Sequence, residues 1–373
     1  MSIGTEALAD ETGRNEEQGP QNLLEVENLR VWFDTPRGGV RAVDGVDLAL
    51  RRGETLGIVG ESGSGKSVLS RAIMKILAPN ARVLPGSEIR MNGSDLANVN
   101  PRKDRHLWGV DLSMVFQDPM TSLTPVVPVG KQLTETLRYH LDLDRRAAYD
   151  EAIRLLQVVG IPEPEKRFRQ YPHNLSGGMR QRVTIALAIS CSPTLLIADE
   201  PTTALDVTVQ HQILNLLAEL QDSSGMSMIL ITHDLGVVAG RTDHIAVMYA
   251  GRIVERAPTR RLFSHMRHPY TRALIDAIPK VSHPSHTRLA SIPGRPPTIV
   301  DPPPGCSFAP RCPSAQDRCL KESPDLVGTS DSPQHSAACF FPLGTPEGNA
   351  ARARNVAAGA SAAGTTVASE VMV

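Results

Sequence analysis

Residues 60–67 read GESGSGKS and have the residue types of a phosphate-binding loop. Their glycines permit backbone angles that turn successive N–H groups toward one point, which makes a nest for an anion. An apolar run before the loop and a helix from about Lys66 would place the positive helix end there too. Lys66 would then reach the β- and γ-phosphates, and the Ser67 hydroxyl would join the Mg²⁺ shell. The predicted nucleotide-binding residues are Gly60, Ser62, Gly63, Ser64, Gly65, Lys66 and Ser67.

Two acidic residues, Asp199 and Glu200, end a second apolar segment at residues 194–198. Ligands of parallel α/β sheets bind at the carboxyl ends of the strands, where this pair would lie. We expect Asp199 to serve Mg²⁺ and Glu200 to act as the general base or to orient the attacking water. Two acids after a strand would, taken alone, more often cap a helix. The order of the motifs favours the catalytic interpretation.

Residues 175–182 read LSGGMRQR, and we call them the signature segment. The Ser176 hydroxyl would cap a following helix, and two glycines leave the first backbone N–H groups of that helix open. Ser176, Gly177 and Gly178 can therefore present a hydroxyl and N–H groups to a γ-phosphate.

The elements that must position these motifs follow from the spacing of apolar residues. Short apolar runs predict buried strands at residues 55–59, 194–198, 227–231 and 245–248. Because helical segments alternate with them, the chain is predicted to be an α/β protein with a mostly parallel sheet. Alternating residues 40–50 indicate an antiparallel β-subdomain, and residues 119–184 indicate a helical subdomain.

Composition divides the chain further. The polar residues 1–22 predict a disordered tail, and residues 23–265 predict the nucleotide-binding domain. Residues 266–345, which are rich in proline and hold four of the five cysteines, predict a small C-terminal extension. Residues 346–373 are rich in Ala, Gly, Ser and Val and predict a second disordered tail.

Charge and hydropathy exclude several classes of protein. The net charge is −1 with no basic stripe, which argues against a nucleic-acid binder. No apolar run approaches the roughly 18–20 residues that span a bilayer, and the polar N-terminus is unlike a signal peptide. We therefore expect a cytosolic protein, unless a partner holds it at a membrane. Five cysteines in such a protein argue against a disulfide framework.

Together, the loop, the signature segment and the acidic pair resemble the ATP-binding-cassette (ABC) ATPases. The resemblance implies that the nucleotide is ATP and that the subunits work in pairs. It implies that Gln117 touches Mg²⁺ or the attacking water, that His233 contacts the γ-phosphate and that Asp206 couples the two ATP sites. The residues that it places on the ATP of the partner subunit are Ser176, Gly177, Gly178 and Gln181.

The same resemblance implies an aromatic ring stacked on adenine. Phe33 is the preferred candidate because Leu29 and Phe33 match the Leu-x-x-x-aromatic spacing that is common in this family. Residues 35–39 resemble an insertion and Trp32 is adjacent, so Trp32 stays an alternative. Either ring could instead belong to the core.

More specific segments extend the resemblance over residues 23–343, to the ATPases of oligopeptide/dipeptide importers. They include FQDPMTSL at 116–123, ADEPTTALDVTVQ at 198–210, THDLGVVA at 232–239 and HPYT at 268–271. Thr124 and Asn174 depart from the expected Asn and Glu, at positions that are not catalytic. The resemblance implies a second homologous ATPase, two membrane permeases and an extracytoplasmic binding protein as partners. It implies a peripheral position on the cytoplasmic face of the membrane.

Two alternatives stay open. Importers of nickel or another small solute share much of this sequence. A soluble ABC ATPase of DNA repair or translation is disfavoured, because the chain has one phosphate-binding loop, one signature segment and no long heptad run.

Four cysteines, Cys306, Cys312, Cys319 and Cys339, fall within one short stretch. Their spacings do not fit the close pairs of structural zinc sites, whereas four thiolates can hold an iron–sulfur cluster. Residues 305–313, GCSFAPRCP, resemble the C-terminal extension of the peptide-importer ATPases, which implies an iron–sulfur site. A [4Fe–4S] cluster, Zn²⁺ and free buried thiols stay as alternatives. His335 is a further candidate ligand.

Overall fold

The structure, a computed structural model, describes part of the chain: residues 22–36, 38–99, 104, 106–203, 205–278, 292–297, 300 and 302–367. The predicted N-terminal tail over 1–22 lies outside these residues except for Asn22. Ala204 of the segment around Asp206 also lies outside them.

The strands are named in chain order. They are β1 (Asn22–Thr35), β2 (Gly38–Arg51), β3 (Thr55–Val59), β4 (Ala81–Val83), β5 (Glu88–Met91), β6 (Ser94–Asp95), β7 (Leu112–Val115), β8 (Leu195–Asp199), β9 (Ser227–Thr232), β10 (His244–Tyr249), β11 (Arg252–Pro258), β12 (Val327–Thr329) and β13 (Ser332–Ala337).

The α-helices follow the same order. They are α1 (Lys66–Ile73), α2 (Pro119–Ser122), α3 (Val129–Leu141), α4 (Arg145–Val158), α5 (Pro164–Phe168), α6 (Gly177–Ile189), α7 (Val207–Ser224), α8 (Leu235–Val238), α9 (Thr259–His265), α10 (Pro269–Asp276), α11 (Asp317–Lys321) and α12 (Pro346–Ala358). Short 3-10 turns lie at Leu96–Asn98, Pro172–Asn174 and Ala309–Arg311.

Two sheets form the framework. The larger sheet has the order β12-β13-β11-β10-β3-β9-β8-β7, and its strands from β10 to β7 run parallel. The smaller sheet is antiparallel, with the order β2-β1-β5-β6 and β4 paired to β1. The predicted fold class, an α/β nucleotide-binding domain with an antiparallel β-subdomain and a helical subdomain, is confirmed.

The larger sheet is buried on both faces. Leu195 and Ile197 of β8 belong to the core shared with the smaller sheet, whereas Leu196 and Ala198 belong to the core shared with the helices. Because successive side chains of a strand point to opposite faces, one short apolar strand supplies both cores. This double burial fixes the strand ends that carry the acidic pair.

The helical insertion lies between β7 and β8. Helices α3 and α4 pack on each other, and Asp144 caps α4 by accepting hydrogen bonds from the N–H groups of Arg146 and Ala147. Helix α6 also packs against α3 and α4, and its first turn belongs to the signature segment. The boundaries of the helical subdomain stay a prediction.

The C-terminal region differs from the expected disordered tail, because α12 occupies residues 346–358. Thr345 caps the helix and Gly359, at φ +71°, ends it. Asn355 is buried and donates hydrogen bonds to the carbonyls of Pro313 (2.8 Å) and Ala315 (3.0 Å). The prediction was wrong here because alanine favours a helix without an apolar period, and polar contacts rather than an apolar stripe hold this one.

Candidate functional site

Residues 60–67, which we call the P-loop, connect β3 to α1 in a confined space. A Cβ on Gly60 would lie 2.1 Å from the Met248 carbonyl oxygen, and one on Gly65 would lie 2.2 Å from that of Ala42. Gly65 also has φ +105°, which disfavours any residue with a side chain. Because Gly65 brings no side chain to the start of α1, the first N–H groups of the helix stay open toward the loop.

The Lys66 side chain is buried and bends over the P-loop. Its ammonium donates hydrogen bonds to the carbonyl oxygens of Gly60 (2.7 Å) and Glu61 (3.0 Å). Burial lowers the pKa of Lys66, while the carboxylates of Glu200 and Asp199 oppose that shift. Lys66, the only cation of the P-loop, is therefore held by backbone carbonyl oxygens. A bound phosphate can replace these oxygens as the hydrogen-bond acceptor of the ammonium.

Ser67 and Asp199 come together across the site. The Ser67 hydroxyl donates a hydrogen bond of 3.1 Å to Asp199, which is 1% exposed at the end of β8. Burial raises the pKa of Asp199 and the adjacent Glu200 charge adds to this, while the Ser67 hydrogen bond acts in the opposite direction. A hydroxyl beside a carboxylate is a set of oxygen donors that suits Mg²⁺.

Glu200 is the point at which several predicted residues meet. Its carboxylate accepts a hydrogen bond from the Gln117 amide (3.0 Å), and the His233 Nδ1 lies 3.4 Å away. Thr203, for which the sequence indicated no role, donates a third contact at 2.9 Å. The Glu200 backbone has φ +46°, a conformation uncommon for a residue with a side chain and often found at functional sites.

The signature segment lies at the start of α6 and contacts the start of α7. The Ser176 hydroxyl accepts a hydrogen bond from the Met179 N–H, and a Cβ on Gly178 would lie 2.8 Å from Val209. Asp206 caps α7 by accepting from the Val209 N–H. Gln181 is buried, and its amide nitrogen has no hydrogen-bond partner among the described residues.

The two aromatic candidates for adenine have different surroundings. Phe33 is half-buried and packs against the core beneath the smaller sheet. The Trp32 ring lies under the Arg41 guanidinium, 4.8 Å from the ring centroid, and so already has a cation partner. Phe33 as the adenine-stacking residue stays a prediction.

The four clustered cysteines line one small cavity, which we call the cysteine cavity, together with His268 and Phe308. Burial raises the pKa of all four thiols. Across the described ranges of the chain, no group of three or more His, Cys, Asp or Glu side chains is arranged to hold a metal ion. His335 lies elsewhere, where its Nε2 contacts the buried Glu255 at 2.7 Å.

None of the helices in the described part of the chain combines the length and apolar composition needed to cross a bilayer.

Comparisons with known proteins agree with this geometry. The family described as "ABC transporter" matches residues 43–203, and that described as "Oligopeptide/dipeptide transporter, C-terminal region" matches residues 254–319. The oligopeptide transport ATP-binding protein OppD of Salmonella typhimurium is 48% identical over 333 residues, 89% of this chain and 98% of that protein. The dipeptide transport ATP-binding protein DppD of Bacillus subtilis is 47% identical over 86% of this chain and 95% of its own.

Solved structures show the same fold. The dimeric ATP-binding cassette MJ0796, bound to ADP and Pi, is 24% identical with a TM-score of 0.57, over 64% of this chain and 99% of that chain. The cbiO1 subunit of a Clostridium perfringens ABC transporter complex is 28% identical with a TM-score of 0.55, over 65% and 91% of the two chains. The chain belongs to the ATP-hydrolysing subunits of the ABC transporters, in the group with an oligopeptide/dipeptide transporter C-terminal region.

Proposed function

We propose that this chain is the motor subunit of a membrane importer for oligopeptides or dipeptides. The observation that carries the proposal is its similarity, along nearly their full length, to transport ATP-binding proteins for these substrates. The similarity includes the C-terminal region, which lies beyond the residues that handle ATP. The permeases and the binding protein would choose the substrate, and this chain would supply the energy.

In the ATP site, each residue has a role that suits its contacts. Lys66 holds the β- and γ-phosphates, and Ser67 and Asp199 hold Mg²⁺, which when bound neutralises phosphate charge. Glu200 accepts a proton from the attacking water, or orients it. Gln117 and His233 lie within reach of the Glu200 carboxylate, and so would face the same water and the γ-phosphate.

The signature segment would complete the ATP site of a second, homologous ATPase subunit. Its open N–H groups and the Ser176 hydroxyl lie beside α7, where Asp206 can report on the partner's site. Closure of the pair around ATP and its opening after hydrolysis would move two permeases, fed from outside by a binding protein. We place the chain on the cytoplasmic face of the membrane, bound peripherally.

Peptide uptake tests the substrate. Cells that lack this subunit are complemented with wild type, Lys66→Ala or Lys166→Ala, which removes the same group from an exposed helix. We expect wild type and Lys166→Ala to restore uptake of labelled di- and oligopeptides, and Lys66→Ala to restore none. Unchanged peptide uptake in all strains would contradict the peptide assignment, and the same cells would then be assayed for uptake of nickel and other small solutes.

We also propose that the cysteine cavity holds a [4Fe–4S] cluster rather than Zn²⁺. Four thiols converge on one cavity, and their raised pKa values mean that four thiolates need a cation nearby to persist there. A cluster of four irons holds its thiolates farther apart than one ion does. The four thiols line one cavity, and among the described residues they are not grouped as the ligands of a single metal ion.

Anaerobic purification with iron and sulfide assays tests the cluster. We expect about four irons and four sulfides per chain, with loss of both in Cys312→Ser. Cys191→Ser is the matched control, because Cys191 is also buried but lies outside the cysteine cavity. A colourless protein with stoichiometric zinc, or one that keeps its iron after Cys312→Ser, would contradict the cluster.

A further inference from the structure

Glu61, the second residue of the P-loop, is held by residues outside the nucleotide-binding motifs. The Arg311 guanidinium donates two hydrogen bonds to its carboxylate, at 2.6 and 2.9 Å. The Glu61 backbone N–H donates to the Tyr270 hydroxyl at 2.8 Å. Its carbonyl oxygen accepts from Lys66, so Glu61 is anchored at its side chain, its N–H and its C=O.

Arg311 is built into the C-terminal region and does not swing freely. Its side chain is 3% exposed. It also donates to the carbonyl oxygens of Pro293 (2.8 Å) and Ile292 (3.2 Å) and contacts the Tyr249 hydroxyl at 3.3 Å. Burial alone would lower the pKa of Arg311, but the hydrogen bonds with Glu61 and Tyr249 raise it, so the guanidinium stays charged.

A cluster of three aromatic rings includes Tyr270, whose hydroxyl contacts Glu61. The rings of Tyr249 and Tyr270 lie 4.6 Å apart, and both lie 5.3 Å from Phe308, which lines the cysteine cavity. All three side chains are buried. The contact between the C-terminal region and the P-loop is therefore closely packed. Arg311 directly precedes Cys312 in the chain.

We propose that Arg311 is a positioning residue for ATP binding, which orients the P-loop through Glu61 and neutralises the Glu61 charge beside the phosphate site. A carboxylate in a loop that binds a triphosphate would otherwise repel its ligand. The Glu61 charge already acts on the Lys66 ammonium. The C-terminal extension thus supplies a second cation beside Glu61, in addition to Lys66 of the loop itself.

If Arg311 acts by neutralising Glu61, removing the Glu61 charge should restore part of the MgATP affinity that is lost with Arg311. A merely structural role of Arg311 does not predict this recovery. In Arg311→Gln the Glu61 carboxylate loses its guanidinium partner. MgATP affinity should then fall at least about tenfold, because a unit charge within about 12 Å of the phosphates has at least that effect at an effective dielectric near 20. Adding Glu61→Gln removes that charge, so the double variant should bind MgATP several-fold more tightly than Arg311→Gln. Arg311→Lys keeps the charge but loses the two-pronged contact with Glu61, so its affinity should lie between those of wild type and Arg311→Gln.

The measurement is the Kd of the purified full-length chain for the magnesium complex of a non-hydrolysable ATP analogue, by titration calorimetry, with Tm recorded for each variant. Asp331→Asn is the matched control. It cuts ion pairs of the C-terminal region with Arg261 and Arg267 but lies away from the P-loop, so it should lower Tm and leave Kd unchanged. If Arg311→Gln does not fold, Arg311→Met, which fills the same space, replaces it in the comparison.

The proposal would be overturned if Arg311→Gln bound MgATP as tightly as the wild type does. It would also be overturned by a double variant that binds no more tightly than Arg311→Gln. The outcome is independent of peptide uptake, because nucleotide binding is measured on the chain alone.

Discussion

Glu200→Gln is expected to bind MgATP as the wild type does and to hydrolyse it about 10²–10⁴-fold more slowly, the contribution of general-base catalysis. The amide keeps the shape of the carboxylate but cannot accept the proton of the attacking water. It can still contact Gln117 and Thr203, because an amide both donates and accepts. The check is single-turnover hydrolysis together with Kd, measured on the same preparation.

Thr203→Val provides the matched control for Glu200. It removes one hydrogen bond to the carboxylate and leaves Glu200 itself in place. Turnover should therefore fall by only about tenfold, which corresponds to the typical net free energy of such a hydrogen bond. If Glu200→Gln turned over within a few-fold of wild type, Glu200 would not be the base. A loss of nucleotide binding in the same variant would show that Glu200 supports the site rather than the reaction.

Gly65→Ala is expected to weaken MgATP binding by about two to three orders of magnitude. The new Cβ would lie 2.2 Å from the Ala42 carbonyl oxygen and 2.8 Å from the Met248 side chain, at φ +105°. Backbone strain and overpacking together cost about 3–4 kcal/mol, and the loop can relieve them only by leaving the conformation that binds phosphate. Calorimetric Kd, with Tm as the measure of global stability, tests this.

Gly63→Ala separates the conformational part of that effect from the steric part. Gly63 also has a positive φ, +80°, but its Cβ would meet no described atom within 4 Å. Only the conformational cost of about 1–2 kcal/mol remains, so affinity should fall about tenfold. Equal losses in the two glycine variants would contradict the close approach of Ala42 and Met248 to the loop.

The site was predictable where one contiguous stretch carries both the chemistry and its support. The P-loop is flanked by its own strand and helix, and Asp199 and Glu200 end a strand, so their neighbourhood follows from fold class alone. The Thr203 contact with Glu200 was not predictable, because it depends on the local turn rather than on a pattern. Helix α12 was missed because alanine shows no period and its anchors, such as Asn355, are polar.

The Arg311–Glu61 pair could not be predicted for a different reason. The two residues are separated by 250 positions, and each belongs to a motif that already has another explanation. Charge and spacing give no signal over such a distance, since any arginine could face any glutamate. Only the packing of the C-terminal region against the P-loop brings them together.

The position of β3 has a consequence for the order in which the chain folds as it leaves the ribosome. β3 is made early, yet its neighbours in the sheet are β9 and β10, which are translated much later. The anchors of Glu61 emerge later still, with Tyr270 and then Arg311. An incomplete nascent chain therefore carries the P-loop before the strands that flank β3, and before the residues that anchor Glu61, have been synthesised.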